Sequence, residues 1–316
     1  MCLIGLAIDQ SRRFPLVIAA NRDEYFARPS ARLGWWTPEG GGPAILGGQD
    51  LAAGGTWLGL TAAGRLAMIT NVRDPSRVDL QAPSRGLIVP RWLSAHEPTD
   101  RFWTRTLLSG HNGFNLIAAD FQRGECFWGS SLSASPRRLE RGVFGVSNAL
   151  LDSPWPKTNR LKASLTRSLS TAGSLDGLVS DLFAALADRS LAEDDDLPST
   201  GVPLEVERQL SSAFIRMPDG SYGTRCSTLV ISERAGRGVV THMLERSYSA
   251  AGAVSLLRQT TLKDWPPRYS DGTHALPVAQ AEVTESPGHE PTASAPPPVK
   301  RKRIRSLLKP AAAPRR

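Results

Sequence analysis

Met1-Cys2-Leu3-Ile4-Gly5-Leu6-Ala7-Ile8 opens the chain, followed by the polar stretch Asp9-Gln10-Ser11-Arg12-Arg13 and then by Leu16-Val17-Ile18-Ala19-Ala20. Two aliphatic, partly β-branched runs around a polar turn read as a β-hairpin. Both runs are continuously apolar rather than alternating, which predicts a sheet buried on both faces. The second run leads into Asn21-Arg22-Asp23-Glu24, read as the end of that strand. Pairing the two strands brings Arg22 and Asp23 back to the start of the chain, beside Cys2.

The same pattern recurs. Residues 57–61 and 66–72 flank Ala62-Ala63-Gly64, and residues 114–119 and 125–128 flank Gln122-Arg123-Gly124, giving two more hairpins. Further strands are expected at 143–146, 227–231 and 238–243. Helical spacing marks 85–95, 100–109, 159–169, 174–187 and 205–214, the fourth opened by Ser174. Strands, then helices, then strands again predict an α+β domain with helices outside antiparallel sheets. This domain spans residues 1–269. From 270 to 316 Pro, Ala, Ser, Thr and Glu dominate and too little apolar side chain remains to offset ordering entropy, so a disordered tail is expected.

Charge follows that division. The 316 residues carry a formal net charge of +8, but the excess lies entirely in the basic residues from Lys300 onward, among them Arg301, Lys302, Arg303 and Arg305. The preceding chain is balanced, so a nucleic-acid-binding body is not indicated, and the basic run reads as a solvated tail. No apolar run approaches the roughly 18–20 residues that span a bilayer. The apolar start lacks a basic leader and breaks at Asp9, unlike a signal peptide. Three cysteines do not make a disulfide framework. A soluble, cytoplasmic protein is the expectation.

Cys2 is the sharpest chemical feature. With Met1 removed, a thiol and an α-amine share one residue, and the amine, titrating near roughly 7.7–8.0, can act as base for the thiol. An Arg near the thiol favours thiolate, and an Asp can hold or orient the ammonium. The plainer alternative is a buried, inert Cys beside a local Arg–Asp pair. Cys126, within Glu125-Cys126-Phe127, reads as core, whereas Cys226 is open to either reading. His96, His111, His242, His274 and His289 have no metal-ligand spacing with the cysteines, and no phosphate-loop pattern occurs among the glycines of residues 40–59. No cofactor is expected. Trp35, Trp36, Trp57 and Trp155 could line a ligand pocket, with core packing the default.

A resemblance extends this reading. Met1-Cys2-Leu3, Ala20-Asn21-Arg22-Asp23-Glu24, Arg28-Pro29, Gly54-Gly55-Thr56-Trp57-Leu58-Gly59 and Thr70-Asn71-Val72-Arg73 run collinearly into Val146-Ser147-Asn148-Ala149, Pro154-Trp155-Pro156-Lys157 and Tyr222-Gly223-Thr224-Arg225-Cys226-Ser227-Thr228. Together they resemble the NRDE, or transport and Golgi organisation, family. That family is in turn distantly similar to N-terminal-nucleophile hydrolases of the bile-salt and penicillin-amidase type. The resemblance implies a four-layer αββα sandwich with Cys2 as nucleophile, Arg22, Asp23 and Arg225 around it, and Asn71 and Asn148 as oxyanion donors. Each has a plainer alternative: Asn71 a strand end, Asn148 a turn, Arg225 an ion pair. The implied activity is hydrolysis of a non-peptide amide, or acyl transfer, through a Cys2 thioester. A second implied class is a non-catalytic protein that binds or moves haem or an acyl lipid. The expected partner is therefore a small amide, acyl or haem-like molecule.

Overall fold

Cys2–Ile8 (β1) and Leu16–Tyr25 (β2) form the expected hairpin, with Ile4 opposite Ala20 and Leu6 opposite Ile18. A computed structural model of the chain describes residues 2–236, 238–267 and 281–286. Ser30–Trp36 (β3), Ile45–Asp50 (β4), Leu58–Thr61 (β5) and Arg65–Asn71 (β6) continue as a meander. Helices Ile88–Ser94 (α1) and Thr99–Leu107 (α2) follow, then strands Phe114–Asp120 (β7), Glu125–Ser130 (β8), Arg137–Arg138 (β9) and Gly142–Val146 (β10). Helices Pro156–Thr171 (α3), Leu175–Leu186 (α4) and Leu204–Gln209 (α5) precede the long strands Tyr222–Ala235 (β11), Gly238–Tyr248 (β12) and Val254–Lys263 (β13). Ala281–Ser286 (β14) is the last described element.

These strands make two seven-stranded antiparallel sheets. The first has the order β10-β1-β2-β11-β12-β13-β14, and the second runs consecutively from β3 to β9. Alternate residues of each strand face opposite ways, so each sheet feeds two apolar layers. Ile4, Leu6 and Ile18 meet Leu60, Met68 and Ile117 between the sheets. Leu3, Val17 and Leu229 point outward onto Leu161, Leu165 and Phe183 of α3 and α4. On the far side, Ala67, Leu116 and Phe127 pack on Trp92 and Trp103 of α1 and α2. The result is helix, sheet, sheet, helix, and it explains why β1 and residues 16–20 of β2 are apolar without alternation.

Several boundaries differ from the sequence reading for identifiable reasons. Strand β2, read as ending with Asn21–Glu24, runs one residue further to Tyr25, where it pairs with β11. Helix α3 starts at Pro156, three residues early, where proline's fixed φ suits the first turn. Helix α5 stops at Gln209 instead of reaching 214: the Leu210 carbonyl accepts from Lys157 and the Ala213 carbonyl from Asn21, so tertiary donors replace helical ones. Strands β3 and β4 carried no sequence signal. Their Gly47 and Gly48 depress strand propensity, yet a side chain at either would strike the Leu58 carbonyl or the Trp57 ring.

Residues 281–286 fall inside the segment expected to be a tail, and pair with β13 from Leu262↔Ala281 to Leu257↔Ser286. The rest of 270–316, including the basic run, lies outside the described residues. No helix among the described residues is long and apolar enough to cross a membrane.

Candidate active site

The start of β1 is where the candidate residues gather, and strand register does the gathering. Cys2 pairs with Arg22, and Arg22 pairs on its other side with Cys226. Strand β10 flanks β1 on the opposite edge, its pairing ending at Ile4↔Val146. The chain leaves the sheet after Val146, and Asn148 follows two residues beyond this last pair. Residues from three segments distant in sequence therefore line up across one sheet end, with the segment after β10 leaving the sheet on the β1 edge.

Arg22 is 5% exposed. Its guanidinium lies 4.3 Å from the centroid of the Trp57 ring and 3.9 Å from a Glu24 carboxylate oxygen. Asp23, one residue on, faces the other way and is 1% exposed. It accepts a 2.7 Å hydrogen bond from the Thr224 hydroxyl. Burial pushes its carboxyl above the usual carboxylate range, a shift opposed by Lys157, the Thr224 hydrogen bond and Arg22. Lys157 is itself buried at the start of α3 and donates to the Leu210 carbonyl at 2.9 Å.

Asn71 and Asn148 are brought together. Asn148 Nδ2 donates to the Asn71 carbonyl at 2.9 Å, and the Arg73 backbone N–H donates to the Asn148 carbonyl at 2.8 Å. The Asn148 side-chain oxygen accepts from Ser147 at 3.2 Å and faces Arg73 at 3.5 Å. Arg73 in turn forms a 2.5 Å ion pair with Glu207 and stacks 4.9 Å from the Trp155 ring. Burial lowers the Arg73 pKa, against the pull of Glu207. Asn148 is thus held rigidly, whereas the half-buried side-chain amide of Asn71 donates to no described residue.

Arg225 is placed differently. A β-bulge between Thr224 and Cys226 lifts it out of the ladder. Its guanidinium then donates to the carbonyls of Tyr25 (2.7 Å) and Arg28 (3.0 Å) and sits over Phe26. It fastens the turn after β2, one residue from Cys226, and the Arg22 charge adds to burial in lowering its pKa. Cys226 is buried next to Glu245, whose carboxyl is raised by burial and held by the Leu33 N–H at 2.8 Å. Burial pushes the Cys126 thiol up to about 12, fitting its core role.

The sequence reading missed Glu207, Lys157, Arg73 and Thr224 as site neighbours. Arg73, Lys157 and Thr224 sat inside motifs quoted for the resemblance, so a signal existed. Glu207 had none, since only the fold carries α5 to the end of β6. No group of three or more potential metal ligands forms among the described residues.

Two stacked antiparallel sheets with helices outside, and buried polar side chains gathered near the start of β1, define an α+β sandwich. The chain belongs to the Transport and Golgi organisation 2 family, whose pattern matches residues 1–250. It is 32% identical over 294 residues to the Transport and Golgi organization protein 2 homolog of Bos taurus, covering 87% of this chain and 98% of that one. The Homo sapiens homolog is 32% identical over 271 residues, covering 79% and 95%. Among solved structures, a variant of conjugated bile acid hydrolase from Clostridium perfringens aligns with a TM-score of 0.45 at 10% identity, over 90% of this chain and 97% of that one. A Caenorhabditis elegans N-acylethanolamine-hydrolyzing acid amidase ortholog aligns with a TM-score of 0.38 at 11% identity, over 73% and 92%.

Proposed function

We propose that the protein is a cysteine N-terminal-nucleophile hydrolase acting on a non-peptide amide, or transferring the acyl group of one. The observation that carries this reading is the register: Cys2 lies opposite Arg22, and Asn148 follows two residues after the last β10 pair on the other edge of β1. Once Met1 is cleaved, the α-amine takes the thiol proton and the sulfur attacks the amide carbonyl. Asn71, whose side-chain amide donates to no described residue, donates to the oxyanion; preorganised donors of this kind supply roughly 3–4 kcal/mol. Asn148 holds the Asn71 backbone and contributes its second N–H. Collapse of the tetrahedral adduct forms the Cys2 thioester and releases the amine with the proton returned by the α-ammonium. Water then cleaves the thioester to the acid and regenerates the thiol.

The test is an acyl-amide panel run with the purified full chain and with Cys2→Ala, alongside intact-mass analysis of the N-terminus. The reading expects loss of Met1 and turnover that disappears in the variant. Full turnover by Cys2→Ala, or a retained Met1 in an active protein, refutes it.

A second reading, a non-catalytic carrier of an acyl or haem-like ligand, is favoured by one feature. A cavity of about 390 Å³, lined by Leu6, Ile18, Met68 and Ile117, lies between the sheets toward the far end of β1, inside the size range of ligand pockets. Saturable haem uptake with a Soret shift and no turnover of any amide selects the carrier; turnover without such uptake selects the enzyme.

A further inference from the structure

Arg22 stands apart among the buried polar side chains. Its side chain is 6% exposed, yet it donates no hydrogen bond among the described residues, and its Nη1 is fully enclosed without a partner. A guanidinium carries five N–H donors in a fixed planar fork. Enclosing the Nη1 donors without an acceptor is costly, because a desolvated N–H then gets neither water nor a protein partner. The Trp57 ring covers one face at 4.3 Å but cannot accept in the guanidinium plane, where the N–H groups point. Glu24 at 3.9 Å is beyond hydrogen-bond reach, and one of its oxygens already accepts from the Tyr25 N–H.

The surroundings add charge of the same sign. Arg28 shares Glu24 at 4.0 Å and is bound to Asp50 at 2.7 Å. Arg225 is close enough for its charge to be felt at Arg22. Three guanidinium groups thus lie near two carboxylates around the end of β2, and the most buried guanidinium is the one left without an acceptor among the described residues.

We infer that Arg22 is an anion receptor, and that the ligand of this site carries an oxyanion, a carboxylate or a phosphate, seated on the guanidinium edge beside Trp57. A planar fork of donors suits either group, and such charge-assisted bonds are the strong ones. The inference deepens the hydrolytic reading by naming an acidic amide as its substrate class, and rests on that reading only for the statement that the ligand is cleaved.

The experiment is isothermal titration of the full chain with sodium phosphate and, separately, with sodium butyrate, sodium chloride holding the ionic strength constant. The wild type is expected to show one saturable site, with the preferred anion telling a phosphate-bearing ligand from a carboxylate. Arg22→Gln should weaken binding by at least about tenfold, and Arg22→Lys, which keeps the charge but not the fork, should fall between. Cys2→Ala should bind like the wild type, which separates anion recognition from catalysis. Thermal midpoints keep the variants interpretable: without ligand, Arg22→Gln should melt no lower than the wild type, because it removes an unmatched buried charge. Failure of the wild type to bind either anion, or equal binding by Arg22→Gln, overturns the inference, as does a marked drop in the variant's midpoint. Cleavage of neutral amides by a protein that ignores both anions leaves the hydrolase standing and removes the receptor.

Discussion

Two buried arginines, one in each sheet, start from the same contact and end in opposite conditions. Arg65 of β6 lies 4.5 Å from the Trp92 ring, and Arg22 of β2 lies 4.3 Å from the Trp57 ring. Arg65 then donates twice to one Asp120 oxygen, at 3.2 and 2.8 Å, and once to the Trp92 carbonyl at 2.6 Å. Arg22 donates to nothing among the described residues. The second sheet uses its arginine to fix β6, β7 and α1 to one another; the first holds its arginine in reserve beside Cys2. Hydrogen-bond satisfaction, rather than burial or stacking, separates a framework charge from one kept for a ligand.

The largest effect expected from this contrast is in stability. Asp120→Ala strands the Arg65 charge in the core and should cost about 3–5 kcal/mol, read as a lower urea midpoint of the full chain. Arg22→Met should leave the midpoint unchanged or raise it, since an apolar side chain replaces an unmatched ion. A loss at Arg22 equal to that at Asp120 erases the distinction.

The contrast sharpens within β2 itself. Asn21 is 1% exposed; it donates to the carbonyls of Leu186 and Ala213, both at 2.8 Å, and accepts from the Ser227 hydroxyl at 2.5 Å. Asn21→Ala leaves these groups buried without a partner and should cost about 2–3 kcal/mol in the same denaturation experiment. Adjacent residues of one motif thus perform different tasks. Asn21 ties β2 to the end of α4 and the segment after α5, while Arg22 points between the sheets.

The hairpins and the α+β build were legible because apolar runs without alternation leave few alternatives, whereas the four-layer order came only with the family resemblance. Gathering Arg22 and Asp23 beside Cys2 needed only the first hairpin's register. Asn148 was harder, since its approach to the β1 edge depends on β10 crossing over to flank β1, a pairing that local sequence does not encode. Arg225 shows the limit of motif reasoning: the bulge at Thr224/Cys226 turns its side chain onto the carbonyls of Tyr25 and Arg28. Glu207 was invisible because nothing near it in sequence announces a partner at Arg73.

The first sheet also holds two acids whose burial raises their pKa, Asp23 and Glu245. A carboxyl raised on folding binds its proton more tightly in the native state, so its contribution to stability falls as pH rises from the ordinary carboxylate range through the raised folded value. The slope reaches at most about 1.4 kcal/mol per pH unit for each proton. Asp23→Asn and Glu245→Gln should each flatten the decline in unfolding free energy measured by urea titration between about pH 4 and pH 7. A steeper decline in either variant contradicts the assigned direction.

The smallest effect is the most discriminating. Because the two arginine–tryptophan distances differ by only 0.2 Å, the stacking energy itself should be nearly equal in the two sheets. Double-mutant cycles isolate it: Arg22→Met with Trp57→Phe in one, Arg65→Met with Trp92→Phe in the other. Each should return a coupling of about 1 kcal/mol, within the range for a desolvated cation over an indole. The single Arg65→Met variant should meanwhile be destabilised far more than Arg22→Met, since it strands Asp120. Equal couplings beside unequal single mutants assign the difference to the hydrogen bonds at Asp120 and the Trp92 carbonyl. A coupling confined to Arg65 and Trp92 instead makes Trp57 a passive wall, and the anion at Arg22 would then be held by the guanidinium edge alone.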